Sequence, residues 1–242
     1  MNFKDWEPRY DNILNAFGFS KAADEKSTDY LSDCVRKHFP PVDLTALSEI
    51  QGQDVIICGN APSLEEEARI LFETKKDLHP IVIAADGAAS VLLRLNRRPD
   101  FIVTDLDGKY ESDADREIEC YSKGTVLLVH AHGDNLDKLC RYLLKLKKTA
   151  SEKSVLIPTC QCRPHDNVFN FGGFTDGDRC VFLADELGAQ TMTLIGFDFE
   201  DPDVSERKKK KLSQAKKLIQ MVNEKRIEKG LSEIQYFSKT KS

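Results

Sequence analysis

Two aspartates separated by one residue follow a short apolar segment, and their types and spacing are the best suited to chemistry in this chain. Asp105 and Asp107 follow Thr104 just beyond residues 101–103, a run typical of a buried strand. Carboxylates just beyond the ends of buried parallel strands lie where open α/β sheets bind ligands. If the backbone stays extended through Leu106, both side chains point the same way. Such a pair suits Mg²⁺, which binds one or two carboxylates together with waters and substrate phosphates.

Two further motifs combine glycine with polar side chains where a predicted strand ends. Gly59, Asn60 and Ser63 follow the first strand and open a helix, so free backbone N–H groups and a positive helix end are presented to an anion. The motif lacks the lysine of a P-loop, which excludes that class of phosphate site. Asp86 and Gly87 follow the second strand, where aspartate is also a good helix N-cap. Each motif alone also fits an ordinary strand-to-helix turn.

A histidine-rich motif follows the fourth predicted strand and has two interpretations. His130, His132 and Asp134 are compatible with a zinc or two-metal hydrolase site. The chain has only 5 histidines, and His38 and His79 lie in unrelated contexts. Since hydrolases of that kind usually need more imidazoles, the motif favours a site in which carboxylates predominate.

Residues 171–179 form a glycine-rich segment directly before a predicted helix. Phe174 can stack on a flat ring, and Asp176 can hydrogen-bond the edge of a heterocycle. Arg179 suits phosphate because its guanidinium is always charged. The alternative is a loop whose aspartate caps the next helix. The mixture of acidic, aromatic and glycine residues favours ligand contact.

Two other polar clusters are interpreted as incidental. Cys160 and Cys162 form a single C-x-C without a second pair, so they are read as thiols of an ordinary loop. Residues 207–211, Arg-Lys-Lys-Lys-Lys, are interpreted as the solvated face of a charged helix. Attraction of a polyphosphate or an acidic partner is the alternative for this run.

The elements that must position these motifs alternate between strands and helices from residue 53 onward. Predicted strands cover residues 55–58, 81–85, 101–103, 125–129, 155–157 and 191–195, the last being the final strand. Predicted helices cover residues 64–74, 88–95, 136–146, 179–187 and 203–229. This alternation predicts an α/β fold, with a mostly parallel sheet and helices on both faces.

The chain before residue 51 has no strand-like run. Helical apolar spacing covers residues 5–17 and 22–38, and Pro40-Pro41 ends the second helix. We expect a helical N-terminal region, 1–50, that packs on the sheet or on a partner subunit, followed by a catalytic domain, 51–242. The N-terminal region is compatible with a homodimer.

Composition excludes several classes of protein. A chain of 242 residues with 40% hydrophobic residues can bury a sizeable core. The net charge of −5 argues against general nucleic-acid binding. No apolar run approaches the ~20 residues that a membrane helix needs, and the N-terminus lacks the apolar core of a secretory signal. The 7 cysteines lie mostly in apolar or helical contexts, which indicates reduced thiols in a cytoplasmic protein.

Five motifs in order resemble the archaeal 6-hydroxymethyl-7,8-dihydropterin pyrophosphokinase family, which is related to the thiamin pyrophosphokinases. They are Gly59-Asn60-Ala61-Pro62-Ser63-Leu64, Ala84-Ala85-Asp86-Gly87-Ala88, Thr104-Asp105-Leu106-Asp107-Gly108, His130-Ala131-His132-Gly133-Asp134-Asn135 and Phe171-Gly172-Gly173-Phe174-Thr175-Asp176-Gly177-Asp178-Arg179. Thr104 and Gly108 stand where thiamin pyrophosphokinases usually carry Gly and Ser, which favours the pterin branch.

The resemblance implies a catalytic domain like that of thiamin pyrophosphokinases, which transfers pyrophosphate from ATP to the hydroxymethyl group of a reduced pterin and releases AMP. It implies that Asp105, Asp107 and Asp134 hold Mg²⁺ and act in catalysis. The implied ATP and phosphate contacts are Gly59, Asn60, Ser63, Asp86, Gly87, His132 and Arg179. The implied pterin contacts are Asn135, Phe174, Thr175 and Asp176, and Asn135 also suits capping of the following helix.

Three alternatives stay open at the level of the sequence. The Gly-Asn-Ala-Pro-Ser motif also resembles bacterial flagellin-modifying and sialyltransferase-like proteins, which suggests a sugar-nucleotide transferase. A non-catalytic nucleotide-binding regulator is disfavoured by the intact Asp105, Asp107 and Asp134. A metal-dependent hydrolase is the third alternative. Neither a nucleic acid nor a membrane is expected as a partner.

Overall fold

The structure is a computed structural model that describes residues 2–74, 79–108 and 111–237. The strands are β1 (Asp54–Cys58), β2 (Ile81–Ala85), β3 (Phe101–Thr104), β4 (Val126–Ala131), β5 (Val155–Cys160), β6 (Thr191–Ile195) and β7 (Ile234–Tyr236). They form one sheet in the order β5-β4-β3-β2-β1-β6-β7, and every pairing within the described residues is parallel. The predicted α/β fold with a parallel sheet is confirmed.

Eight α-helices and one 3₁₀ helix accompany the strands within the described residues, three of them before β1. They are α1 (Phe3–Phe17), α2 (Lys21–His38), the 3₁₀ helix (Thr45–Ile50), α3 (Leu64–Thr74), α4 (Ala88–Arg94), α5 (Glu111–Ser122), α6 (Leu136–Thr149), α7 (Asp176–Glu186) and α8 (Glu206–Glu228). None of the helices in this part of the chain is long and apolar enough to cross a membrane.

Two hydrophobic cores lie on opposite faces of the sheet, because successive strand side chains alternate in direction. In β1, Val55 and Ile57 join the core that also contains residues of α1, α7 and α8. Ile56 and Cys58 join the core that contains residues of α3 to α6. Burial on both faces explains why the central strands are continuous apolar runs rather than alternating ones.

The two N-terminal helices pack on the chain's own sheet. Trp6 and Tyr10 of α1 are each 1% exposed in the first core. Leu31 and Val35 of α2 belong to the second core. The turn between the helices therefore passes the sheet near β4 and β5, which α2 contacts. Of the two packing sites expected for this region, the structure shows the one on the sheet.

Some elements differ from the sequence prediction for identifiable reasons. β5 was expected to stop before Pro158, yet it continues to Cys160 with Pro158 opposite Val129. β5 is the edge strand of the sheet, where proline is tolerated because one side needs no partner. The prediction of 191–195 as the last strand was wrong, because the short β7 pairs with β6. Helix α5 was not predicted.

Candidate functional site

Two adjacent cavities lie at the carboxyl ends of the strands and share one wall. The first, about 370 Å³, is bordered by the α1–α2 turn and is called the N-terminal lobe. The second, about 440 Å³, is bordered by residues 59–62 after β1 and is called the β1 lobe. The residues that line both lobes are Asp86, Asp107, Thr175, Asp176 and Lys208. The shared wall is therefore mostly acidic.

Asp105 and Asp107 converge by a route that differs from the extended backbone expected from the sequence. Leu106 has φ 63°, in the left-handed region, which is unusual for a bulky residue and costs about 1–3 kcal/mol. Its N–H donates to Thr104 Oγ1 over 2.9 Å, and the N–H of Asp107 donates to Asp105 Oδ1 over 3.3 Å. The buried Leu106 side chain holds this turn in place. The two carboxylates are thus brought together by a strained turn.

Asp105, Asp107 and His132 offer ligand atoms that all lie within 4.8 Å of one another. His132 Nε2 is 3.0 Å from Asp105 Oδ2, and His132 Nδ1 accepts the N–H of Asp134 over 3.2 Å. Because Nδ1 accepts, the neutral ring carries its proton on Nε2 and donates it to Asp105. His132 therefore orients Asp105, and the carboxylate oxygens of Asp105 and Asp107 fit the preference of Mg²⁺ for oxygen.

Asp134 does not join this group. Its side chain is exposed, and its Oδ2 lies 3.6 Å from Arg207 at the mouth of the N-terminal lobe. Of the three aspartates expected to hold a metal, the structure brings together Asp105 and Asp107, and His132 stands beside Asp105. The signal for His132 was present in the sequence, where it was assigned to phosphate instead.

The carboxyl groups at and beside the shared wall have different pKa values, because burial and neighbouring groups affect each of them differently. Burial and the charge of Asp105 raise the pKa of Asp86 to about 6. Burial and the hydrogen bond with Asp105 raise the pKa of Asp107 to about 8. Burial also opposes ionisation of Asp105, but hydrogen bonds from His132 and Asp107 outweigh it and hold its pKa well below the usual range. A bound cation would offset this mutual repulsion.

Arg179 is the buried cation of the site. Its Nη1 lies 2.8 Å from Asp176 and 4.0 Å from Asp105, and its side chain is 6% exposed. Even so, burial and the charge of Asp105 raise the pKa of Asp176 well above its usual value. Arg179, which was expected to contact phosphate, pairs with Asp176 and lines the N-terminal lobe.

The glycines after β1 and β2 allow parts of the chain to approach more closely than a larger residue would permit. A Cβ on Gly87 would lie 2.6 Å from Asn60 Nδ2, and a Cβ on Gly59 would lie 2.5 Å from Gly196 O. Gly59 and Asn60 line the β1 lobe, as expected for a nucleotide contact. Gly87 and Ser63 line neither lobe, and the amide of Asn60 occupies the space beside Gly87 that was expected for the nucleotide.

The expected substrate contacts fall into two groups. Phe174, Thr175 and Asp176 line the N-terminal lobe, and Thr175 also begins α7 in a capping box with Asp178. Asn135 is fully buried and does not reach either lobe.

The Asn135 amide donates to Asp105 O and to His130 O, and its oxygen accepts the N–H of His132. Its side chain makes no capping bond to α6. Asn135 therefore holds the loop that carries His132 instead of touching a substrate.

Asp24 of α2 is a site residue that the sequence did not indicate. Its Oδ2 accepts from Tyr10 Oη over 2.7 Å and from Gln161 Nε2 over 2.8 Å. Its Oδ1 accepts the N–H of Gly133 over 2.7 Å. Asp24 is 2% exposed and borders the N-terminal lobe, so it links the N-terminal region to the loops after β4 and β5.

A parallel α/β sheet with clustered carboxylates at the carboxyl ends of its strands defines a ligand-binding protein of the open-sheet class. The family model described as MptE-like, 6-hydroxymethylpterin diphosphokinase MptE-like, matches residues 35–204. The chain belongs to this family.

Two relatives named 6-hydroxymethyl-7,8-dihydropterin pyrophosphokinase are similar over most of their length. The one from Pyrococcus furiosus is 40% identical over 82% of this chain and 79% of its own. The one from Methanocaldococcus jannaschii is 39% identical over 93% of this chain and 97% of its own.

A solved structure, the Maf glycosyltransferase from Magnetospirillum magneticum AMB-1, aligns with a TM-score of 0.42 at 16% identity. The alignment covers 67% of this chain and 28% of that one. A likeness this weak supports no conclusion about fold or function.

Proposed function

We propose that this protein transfers pyrophosphate from ATP to the hydroxymethyl group of 6-hydroxymethyl-7,8-dihydropterin in a Mg²⁺-dependent reaction, giving the pterin diphosphate and AMP. The observation that carries the proposal is the position of Asp105 and Asp107, which meet His132 at the junction of two lobes. The relatives that bear this enzyme's name support the same choice of substrates.

Each lobe suits one substrate. The N-terminal lobe combines Phe19 and Phe174 with the polar side chains of Gln161 and Asp24, a mixture that fits a flat ring with hydrogen-bonding edges. The β1 lobe is bordered by the turn at residues 59–62, which suits a nucleotide phosphate chain. We assign the pterin to the N-terminal lobe and ATP to the β1 lobe.

The reaction then occurs at the shared wall. The hydroxymethyl oxygen forms a bond to the β-phosphorus, the bond from that phosphorus to the α–β bridging oxygen breaks, and AMP leaves with the electron pair. The hydroxyl proton passes to solvent or to a carboxylate of the wall. Mg²⁺ held by Asp105 and Asp107 would neutralise charge on the phosphate oxygens. His132 keeps Asp105 in position, and the lobes orient the reacting atoms.

A coupled AMP-release assay tests this proposal, with 6-hydroxymethyl-7,8-dihydropterin and thiamin compared as acceptors. AMP release should require both the pterin and Mg²⁺, and it should fall by about 100-fold or more in Asp105→Asn and Asp107→Asn. Asp115→Asn is a matched control, because Asp115 is exposed and pairs with Lys145 away from the lobes. Failure of folded, Mg²⁺-loaded wild type to release AMP with either acceptor would refute the assignment.

We also propose a cytoplasmic location, which the seven free cysteines support. The expected homodimer stays a prediction.

A further inference from the structure

We propose that Lys208 and Lys211, in the first two turns of α8, bind the phosphate chain of the nucleotide where the two lobes meet. This inference rests on the proposed function and adds two binding residues to it. The family match ends at residue 204, before α8 begins.

The two lysines occupy the side of α8 that faces the site. Lys208 lines both lobes, and Lys211 lines the N-terminal lobe. Residues three apart lie on the same side of a helix, which brings both ammonium groups to the same opening. Lys209 and Lys210 line neither lobe, so the run of basic residues has two distinct sides.

Among the described residues, Lys208 and Lys211 form no ion pair, although Arg207 and Lys209 in the same run do. Arg207 lies 3.6 Å from Asp134, and Lys209 lies 2.9 Å from Glu206. Lys211 Nζ lies 5.9 Å from the centre of the Phe174 ring, which places it over the N-terminal lobe. Two cations that border an acidic opening and form no direct ion pair are available to an anionic ligand.

The charge balance of the site also requires cations beyond the metal. ATP would bring further negative charge to a wall that already holds Asp86, Asp107 and Asp176. Arg179 is committed to Asp176 over 2.8 Å. Lys208 and Lys211 add positive charge to the lining of the two lobes, so phosphate held between them and Mg²⁺ would face less repulsion.

The anchoring of α8 gives this arrangement a defined position. Its C-terminal half buries Leu218, Ile219 and Val222 in the first core. Arg226, fully buried, donates to Ala189 O over 3.1 Å and pairs with Asp185. The N-terminal turns are exposed and strongly basic, although the positive end of a helix dipole favours acidic residues. Residues that go against such a local preference, here basic residues at a helix N-terminus, are expected at functional positions.

Binding measurements with purified full-length variants test the lysine assignment. The probes are an ATP analogue with a methylene group between the α- and β-phosphates, titrated with Mg²⁺, and the pterin alone. Lys208→Ala and Lys211→Ala should each weaken analogue binding by about 3- to 10-fold, and the double variant by about 10-fold or more. Pterin affinity should change by less than about 2-fold, and arginine at either position should restore much of the loss.

Lys210→Ala is the matched control, because Lys210 belongs to the same run but lines neither lobe. Unchanged analogue affinity in the double variant, with pterin-dependent AMP release intact, would overturn the lysine assignment and leave the proposed function standing. An equal loss in Lys210→Ala would overturn it too, because the effect would then reflect overall charge. Wild type that binds no analogue would overturn both proposals.

Discussion

The site is made of two regions that differ in how they are held and in what they offer. At the strand ends, carboxylates lie in turns that strand hydrogen bonds and buried side chains hold in place, as at Leu106. The flanks offer an aromatic ring at Phe19, in the turn between α1 and α2, and the ammonium groups of Lys208 and Lys211 on α8. The family match covers the first region and omits these flanking residues. Under the proposed function, the strand ends would provide the chemistry and the flanks would help to hold the substrates.

This division predicts separable kinetic effects. Substitutions at the strand ends should lower kcat, whereas substitutions on the flanks should raise KM for one substrate. Asp24 is the exception, because it belongs to a flanking helix by sequence but fastens the loop that carries His132 through Gly133. Its substitution should therefore affect both regions.

Asp24→Ala should give the largest effect among these variants. It removes the acceptor of three hydrogen bonds, from Tyr10, Gln161 and Gly133. We expect a loss of about 3 kcal/mol in the free energy of unfolding and a fall of about 100-fold in kcat. Urea unfolding and steady-state assays below the unfolding transition measure the two effects, with exposed Glu25→Ala as control. If Asp24→Ala lost stability but kept a normal kcat in the folded fraction, the proposed connection between Asp24 and the loop that carries His132 would be contradicted.

Asp86→Asn tests how much the buried carboxylate of Asp86 destabilises the metal-free protein. The pKa of Asp86 is raised to about 6, so without metal this group favours the folded state fully below its unfolded pKa near 4. That contribution is lost as the pH rises through about 6. Asp86→Asn should remove the loss and stabilise the metal-free protein at pH 7.5 by about 2–3 kcal/mol.

The measurement for Asp86 is urea unfolding in EDTA at pH 4.5 and at pH 7.5. The difference between the two pH values should be smaller in Asp86→Asn than in wild type. An unchanged pH dependence would show that Asp86 is not the group responsible. Activity should fall in the same variant, since Asp86 lines both lobes.

Phe19→Ala tests the flanking region alone. Phe19 lines the N-terminal lobe, with its ring centroid 6.2 Å from that of Phe174. Loss of a stacking partner should raise KM for the pterin by about 5- to 10-fold and leave kcat nearly unchanged. Leu44→Ala, at an exposed apolar position outside both lobes, is the control. A larger effect on KM for ATP than for the pterin would reverse the assignment of the lobes.

The sequence predicted part of the strand-end region, because several of its residues lie just beyond apolar runs. Asp86, Asp105 and His132 each follow a predicted strand, and parallel strands bring such positions together. Gln161 and Asp24 were missed because their positions depend on packing between distant parts of the chain. No local pattern distinguishes Asp24 from other acidic residues of an amphipathic helix.

The local geometry of the predicted residues was harder to foresee. Convergence of Asp105 and Asp107 was expected from an extended strand, yet it depends on the left-handed Leu106. Such a turn is disfavoured for leucine, and burial in the second core together with the hydrogen bond to Thr104 compensates for it. That Lys208 borders both lobes was likewise not predicted, because the position of α8 on the sheet is set by its buried C-terminal half.

Asp134→Asn should give the smallest effect. It tests whether the role implied by the sequence motif or the position seen in the structure is right. The resemblance implies a metal ligand at this position, whereas the structure shows an exposed side chain 3.6 Å from Arg207. An exposed ion pair contributes little, so we expect at most about a 2-fold change in kcat and in the Mg²⁺ concentration that gives half-maximal activity. Asp107→Asn, measured in parallel, should abolish the metal response. A loss of about 10-fold or more in Asp134→Asn that excess Mg²⁺ restores would return Asp134 to the metal site, since a carboxylate that binds the ion lowers the Mg²⁺ requirement.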